Sequence, residues 1–311
     1  MTTIADGAAA QGGASHAHAS MKLRDIASRW LFMLPASILL FLVLAYPIGY
    51  AVFISFSEFD LATFKSVGWV GWDNYEAVME DARFWRSLRV TAIYLAFALP
   101  IQMLLGFGIA YCINAEWKGR GLIRALLIIP MVVAPVLAGG IWRMLLDPLW
   151  GLTNYAIGLL GFEPVNWLGN PTLAMVTLII IDTWRWTPFV TLIATAGLLA
   201  LPRDVFEAAD IDGANGWTKF WSIGLPLLIP VIAATLVVRW LGAVKMFDMA
   251  LAATNGGPGD ATNVVNLYIY EQAFRSLHFA EASAMTVIVL AGTIVLTLGL
   301  LWGSKRLEDI N

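Results

Sequence analysis

Long apolar stretches alternate with polar connections along this chain, at residues 30–56, 89–114, 122–146, 172–200, 226–252 and 282–303. A helix rising roughly 1.5 Å per residue needs about 20 apolar residues to cross roughly 30 Å of hydrocarbon. Each stretch meets that length with some tilt. The pattern therefore predicts an all-α, polytopic membrane protein of about six transmembrane helices. Residues 1–20, rich in Ala, Gly, Ser and Thr, lack the apolar content to fold and predict a disordered tail, leaving 21–311 as the transmembrane domain. Lys22, Arg24 and Arg29 ahead of the first stretch imitate a secretory signal. That stretch is about twice a signal's apolar core and lacks a small-residue cleavage site, so it reads as an uncleaved span.

Breakers and charges interrupt the spans. Pro130 and Pro135 should kink the third, Gly139-Gly140 should let a neighbouring helix come close, and Gly106 and Gly108 could do so in the second. Such features suit helices that rock between two arrangements, and equally suit static packing. Ionisable residues at membrane depth are costly, which makes Asp182, Arg185, Arg239, Lys245 and Asp248 functional candidates. Asp182 and Arg185 are spaced to pair on one helical face, as are Lys245 and Asp248. The alternative is that Arg239 or Lys245 leaves a positive charge facing a pathway, which favours an anionic solute.

Composition agrees with the pattern. Apolar residues make up 59% of the chain and charged ones 13%, and the mean hydropathy is +0.74, too apolar for a soluble domain. The net charge of −3 says little about partners, because orientation follows from where Lys and Arg fall. Lys22, Arg24, Arg29, Lys118, Arg120, Arg124, Arg203, Lys219, Lys305 and Arg306 fall on one side. The other side holds Lys65, Arg83, Arg86, Arg89 and Arg275, diluted by acids. The positive-inside rule then places both termini and the Glu207–Pro226 connection in the cytoplasm. Cys112 is the only cysteine, so no disulfide framework exists, and it reads as a small packing residue. His16 and His18 read as incidental in a flexible tail, so no metal site is expected. His278 and scattered acids form no catalytic constellation, so no catalytic residue is expected.

The outer connections have their own character. Residues 57–88 carry Trp69, Trp72, Tyr75 and Trp85 among acids, which predicts interfacial aromatics and a short amphipathic helix. Residues 147–171 are studded with Gly, Pro and Asn, and Thr254-Asn255-Gly256-Gly257-Pro258-Gly259 must turn sharply. These segments read either as contacts for an extracellular partner or as a simple aromatic belt.

The 201–226 connection is polar and organised. Pro202 suits a first helical turn, Asp204 and Glu207 favour the positive end of a short helix, and Ala208-Ala209 favour helix. Gly213, beside Asp212, can break the segment into two helices at an angle. Trp217, Phe220, Trp221 and Ile223 then give an apolar face at helical spacing, and Leu225-Pro226 starts the fifth span. Read without relatives, this is an amphipathic re-entry helix. In residue types and spacing it resembles the "EAA" coupling loop in membrane subunits of ATP-binding-cassette importers. Glu207, Ala208, Ala209, Gly213, Ile223, Leu225 and Pro226 match that signature. The resemblance implies a type I importer permease fold and a coupling helix that docks in a groove of a cytoplasmic ATPase dimer. Glu207 would there meet a basic residue. This chain has no Gly-x-x-x-x-Gly-Lys-Ser/Thr phosphate cradle, so it is not expected to be an enzyme. ATP and Mg would belong to the partner, with no cofactor bound here.

Asp182-Thr183-Trp184-Arg185-Trp186-Thr187-Pro188, Lys245-Met246-Phe247-Asp248, Thr254 to Gly259 and Leu267-Tyr268-Ile269-Tyr270 resemble the carbohydrate-uptake branch of that family. They resemble the subunit type of the larger maltose-transporter pore subunit, over nearly all of 30–303. Carried over motif by motif, the resemblance places Met131, Pro135, Asp182, Trp186, Phe189, Gly242, Ala243 and Met246 along the solute pathway. Arg239 and Lys245 join them as charges at membrane depth. Trp186 would stack on a pyranose face, and Asp182 would accept hydroxyl hydrogen bonds. The implied partners are a second permease, the ATPase dimer, an extracytoplasmic solute-binding protein, a sugar or anionic sugar derivative, and membrane lipid, with no nucleic acid. The implied place is a bacterial inner membrane. An ion-coupled sugar carrier using Asp182 or Asp248 stays open as the other reading, and it would not need the 207–226 loop.

Overall fold

The structure is a computed structural model that describes residues 33–60, 63, 65–114 and 119–309. The tail expected over 1–20, its histidines, and Lys22, Arg24, Arg29 and Lys118 lie outside the described residues. Helix α1, Met33–Ser55, is described by itself: it is apolar on every side, and Tyr46 stacks on Tyr50 at 6.1 Å. A helix apolar all round is one that hydrocarbon solvates.

Residues 55–311 form a second compact unit. It begins with a small exception to the all-α expectation. Strands β1, Ser57–Asp60, and β2, Lys65–Trp69, pair antiparallel with a bulge between Glu58 and Phe59. Phe56 stacks on Trp69 at 5.2 Å and meets Trp72 and Tyr75 at 5.1 and 5.0 Å, so the aromatics of this connection close one cluster. The helices that follow are α2 (Asp73–Glu80), α3 (Ala82–Asn114), α4 (Arg120–Val132), α5 (Pro135–Leu145), α6 (Leu152–Leu159) and α7 (Pro171–Leu199). After α7 come α8 (Arg203–Ile211), α9 (Gly216–Lys219), a π-helical turn at Phe220–Gly224, α10 (Leu225–Ala243) and α11 (Asp248–Ala253). The chain closes with α12 (Val265–Tyr270), a π-helical turn at Glu271–Arg275 and α13 (Phe279–Asp309).

Among the described residues five helices are long and apolar enough to cross a membrane, or six if one bent pair counts as a span. That pair is the expected third span. Its halves Gly121–Val132 and Pro135–Leu145 meet at 99°, far more than a kink. The ring of Pro135 pushes Ala134 out of helical geometry, to ψ 141°, and Pro135 then opens α5 as its first residue. The fifth span also differs from the expected 226–252. α10 ends at Ala243, and the chain unwinds before restarting as α11. Asn266 Nδ2 donates to the freed Val244 carbonyl at 2.6 Å, which compensates one lost helical bond.

Two helix crossings depend on a missing side chain. A Cβ on Gly106 of α3 would lie 2.5 Å from Val190 of α7, and one on Gly139 of α5 would lie 2.8 Å from the Met249 carbonyl of α11. Gly108 and Gly140, expected to share this role, face open space, and Cys112 is exposed rather than packed. Gly139→Ala should therefore destabilise the protein, by about 1–3 kcal/mol. Gly140→Ala should be neutral or stabilising by up to about 1 kcal/mol, because only the helical preference for Ala over Gly remains. Thermal unfolding of the two variants in the same detergent checks the sign.

The turn at 254–259 is as sharp as its composition requires: Asn255, Gly256 and Gly259 take φ of +51°, +81° and +56°. It is braced from several elements. Arg83 donates to both Asp260 oxygens at 3.1 and 3.0 Å, and Arg275 donates to Asn255 Oδ1 at 2.9 Å. The hydroxyl of Tyr268 donates to the Asp81 carboxylate. The Arg83 guanidinium holds the Asp260 carboxyl below the usual carboxylate range. Beneath lies an apolar cluster of Val78, Phe84, Val265, Tyr268, Ala284 and Met285. In the 147–171 connection, Asn154 donates to the Val165 carbonyl and accepts from its N–H, at 2.9 and 3.1 Å.

Candidate functional site

Helix α7 is the most enclosed of the long helices and runs against α3, which gives its polar residues somewhere to be buried. Asp182 is 3% exposed, and Arg239, on α10, is 1% exposed. Their side chains meet at 3.1 Å, Arg239 Nη2 donating to Asp182 Oδ2. The same oxygen accepts from the Tyr94 hydroxyl at 2.6 Å and from Gln102 Nε2 at 2.7 Å. Gln102 Oε1 accepts in turn from Arg239 Nε at 2.8 Å. Asp182, Gln102 and Arg239 therefore close a ring across α7, α3 and α10, with Tyr94 bound to its carboxylate. A buried charge persists only when paired and hydrogen-bonded, and this one is both.

The ring changes two expectations. Asp182 pairs with Arg239 and not with Arg185, because Arg185 is drawn to the break between α4 and α5, where its Nε donates to the Val133 carbonyl at 3.0 Å. Arg239 consequently presents no unbalanced charge. Among the described residues no ion pair joins Lys245 to Asp248; Lys245 lies in the unwound stretch after α10, Asp248 opens α11, and both are exposed. Trp186 is also occupied. The guanidinium carbons of Arg239 and Arg185 lie 4.5 and 4.8 Å from its ring, and Phe189 meets it edge-on at 5.6 Å. Both guanidinium groups therefore compete with any sugar that would stack on this indole.

Beside the ring is a cavity of about 160 Å³ lined by Tyr94, Pro135, Asp182, Arg185, Trp186, Gly242, Lys245, Met246, Phe247, Asp248 and Met249. It lies where the two broken helices come together, since Pro135 opens α5 and Gly242 to Asp248 span the gap between α10 and α11. Pro135, Asp182, Trp186, Gly242, Lys245 and Met246 of the expected pathway line it. Arg239 and Phe189 stand behind Trp186, Ala243 is packed in the core, and Met131 is not among the lining residues. Tyr94 and Gln102 were not anticipated. The signal was present: a glutamine and a tyrosine inside the apolar run of α3 need partners at depth.

The 201–226 segment folds as a short helix, a break and a second helix. Gly213 takes φ +74°, and the Ala214 N–H returns to the Ala209 carbonyl at 2.9 Å. Asn215 caps α9 by accepting from the Thr218 N–H at 2.8 Å, and Lys219 pairs with Asp210 to brace the two arms. Glu207, Ala208, Asp212 and Gly213 are exposed; Ala209 is buried, and Ile223, Leu225 and Pro226 are half-buried. Phe220 packs edge-on to Tyr111 of α3 at 5.4 Å, while Trp217 and Ile211 remain 73% and 88% exposed. A cleft of about 700 Å³ runs beside α8, lined in part by Tyr111, Asn114, Arg124, Arg203, Glu207 and Asp210.

Residues 102–308 match the family described as "Binding-protein-dependent transport system inner membrane component". The chain belongs to that family. It is 35% identical over 279 residues to the trehalose/maltose transport system permease protein MalF of Thermococcus litoralis, covering 88% of this chain and 94% of that protein. It is 32% identical over 267 residues to the sulfoquinovosyl glycerol transport system permease protein SmoG of Agrobacterium fabrum, covering 86% and 87%. The fold is similar to a chain of a solved bacterial alginate ABC transporter in complex with alginate pentasaccharide-bound periplasmic protein. That match has a TM-score of 0.79 at 22% identity and covers 91% of this chain and 96% of the other. The resemblance to permeases of carbohydrate-uptake ABC importers therefore holds. So does the all-α polytopic fold, and membership makes the chain a multi-pass transport permease subunit of the inner membrane and not a catalytic one.

Proposed function

We propose that this chain is the pore-forming permease subunit of an ATP-driven, binding-protein-dependent importer of a sugar or sugar derivative. The 201–226 loop is its coupling element, facing the cytoplasm together with both termini. A second, similar permease completes the pore. A separate ATPase dimer binds ATP and Mg and hydrolyses the nucleotide, while a solute-binding protein delivers solute to the outer connections. ATPase closure draws the coupling loops together, turning the cavity outward, and hydrolysis resets it.

The observation that carries this reading is the shape of the loop. α8 stands exposed with Val205, Glu207, Ala208 and Ile211 uncovered, and Gly213 and the Asp210–Lys219 pair hold it at a set angle to the next helix. An apolar ridge bearing a carboxylate suits a groove with a basic residue, and a braced loop transmits force that a floppy one would absorb. The cavity beside α7 supports the pathway: at about 160 Å³ it is small for a sugar site, as expected if a partner permease supplies the other wall. MalF and SmoG serve sugar and sugar-derivative transport systems by name, and the alginate transporter was solved with a periplasmic partner. The salt bridge with Arg239 speaks against Asp182 as the free ion site of a carrier.

The test is to purify the tagged chain in mild detergent, identify its partners by mass spectrometry, and assay ATP-driven uptake in proteoliposomes. A second permease and an ATPase should accompany it. Isolation of the chain alone, even after crosslinking, with uptake that follows an ion gradient and ignores ATP, would overturn the proposal.

A further inference from the structure

Near the end of α3 that approaches the 201–226 loop, one arginine is left almost without partners. Arg124 of α4 is half-buried, and its side chain makes one hydrogen bond among the described residues, from Nη2 to the Ile113 carbonyl at a long 3.3 Å. Its Nε is buried and makes none. Among the described residues no carboxylate pairs with this guanidinium. Capping the last turn of α3 occupies one nitrogen, and a cation buried with so few partners is costly unless something else meets it.

Arg124 stands where two cavities meet. One is the cleft beside α8, which Arg203 also lines. The other is a pouch of about 240 Å³ between α4 and α7, walled by Leu127, Pro188, Leu192 and Leu199. Arg124 and Leu199 line both. The pouch is apolar in spite of its threonines, because Thr191 and Thr195 donate their hydroxyls to the Thr187 and Thr191 carbonyls, at 2.9 and 2.7 Å. It shares no lining residue with the cavity beside Asp182, and its walls suit hydrocarbon. The acids of the cleft do not neutralise it. Asp210 is paired with Lys219, which leaves two arginines, neither in an ion pair among the described residues, against the single exposed carboxylate of Glu207. Unpaired positive charge at the mouth of an apolar pouch is the footprint of an anionic amphiphile.

We propose that this is a site for an anionic phospholipid of the cytoplasmic leaflet. Its phosphate sits on Arg124, Arg203 adds attraction, and one acyl chain fills the pouch between α4 and α7. A planar guanidinium can give two parallel hydrogen bonds to phosphate oxygens. A zwitterionic lipid offers the same phosphate but brings a cation that both arginines repel. The headgroup lies beside Phe206 and Glu207, so the bound lipid ties the base of α8 to α4 and α7. This goes beyond the permease reading, and takes from it only the placement of this end at the cytoplasmic membrane surface.

The test uses the purified complex with its co-purifying subunits, delipidated in a neutral polyoxyethylene detergent. It is titrated with dioleoylphosphatidylglycerol or dioleoylphosphatidylcholine, and followed by native mass spectrometry and thermal shift. Phosphatidylglycerol should be retained more tightly than phosphatidylcholine. Arg124→Gln should weaken that retention about tenfold, the worth of a hydrogen bond to a charged group, while Arg124→Lys, which keeps the charge, should preserve most of it. Ala196→Trp fills the pouch without touching a charge, and should weaken phosphatidylglycerol as well. It decides the question even where Arg124→Gln does not fold. Millimolar inorganic phosphate should not stabilise the wild type. Equal retention of the two lipids, or undiminished phosphatidylglycerol binding in Arg124→Gln or in Ala196→Trp, overturns the proposal. Stabilisation by inorganic phosphate that Arg124→Gln abolishes would assign the site to a free anion and overturn it too. Failure of the permease reading would look different: lipid binding intact, with no ATPase partner and no ATP-driven uptake.

Discussion

Asp182→Asn is expected to destabilise the folded protein by about 3–5 kcal/mol, because it leaves the Arg239 guanidinium buried without its counter-charge. The asparagine is nearly the same size and can still accept from Tyr94 or Gln102, so packing does not explain the loss. The discriminating variant is the double substitution Asp182→Leu with Arg239→Met. It removes both charges and should recover most of the stability, since apolar replacement of a whole buried pair is often neutral or favourable. Transport should fail in both variants. Thermal unfolding in one detergent, with uptake measured in parallel, separates the two roles. An Asp182→Asn protein as stable as wild type would mean that water or a relaxed Arg239 already solvates the charge.

Glu207→Lys should abolish ATP-driven uptake while leaving the unfolding transition where it was. Glu207 is exposed on α8 and makes no ion pair among the described residues, so its replacement has no folded contact to lose; surface changes of this sort stay within about 0.5 kcal/mol. The new ammonium would face the basic residue expected in the ATPase groove, and a like charge at a docking contact costs far more than the missing attraction. The ATPase subunit should co-purify poorly with the variant, and uptake should fall to the background of an ATP-free control. Full uptake by Glu207→Lys would remove the loop from the coupling pathway.

The elements that could be read from the sequence are those whose causes are local. Pro135 announces an interruption of the third span, read as a kink and found as a 99° break, since a proline restricts the residue before it, whereas Pro130 sits inside α4. Gly213 announces the break after α8, and Gly256 and Gly259 the turn, because each needs a backbone region closed to most residues. Glu207 and Ala208 fall on an exposed helix as their types suggest, and Ala209 turns inward because helical periodicity puts it on the opposite side. The end of the fifth span was hidden by its composition. Val244 to Phe247 holds no proline or glycine to announce an unwinding, and the Asn266 side chain that donates to the freed Val244 carbonyl arrives from α12.

What the sequence by itself determined is therefore the all-α polytopic architecture, the polar loop with its glycine break, and the set of charged side chains at membrane depth. What the tertiary structure decided is the pairing. Spacing pointed from Asp182 to Arg185, three residues on, whereas the carboxylate is bound to Arg239, 57 residues away, and to Tyr94 and Gln102 on α3. A buried carboxylate takes the donors that helix crossings bring to it. The crossing of α3 on α7 is set by Gly106 under Val190, a contact between residues that no local rule connects.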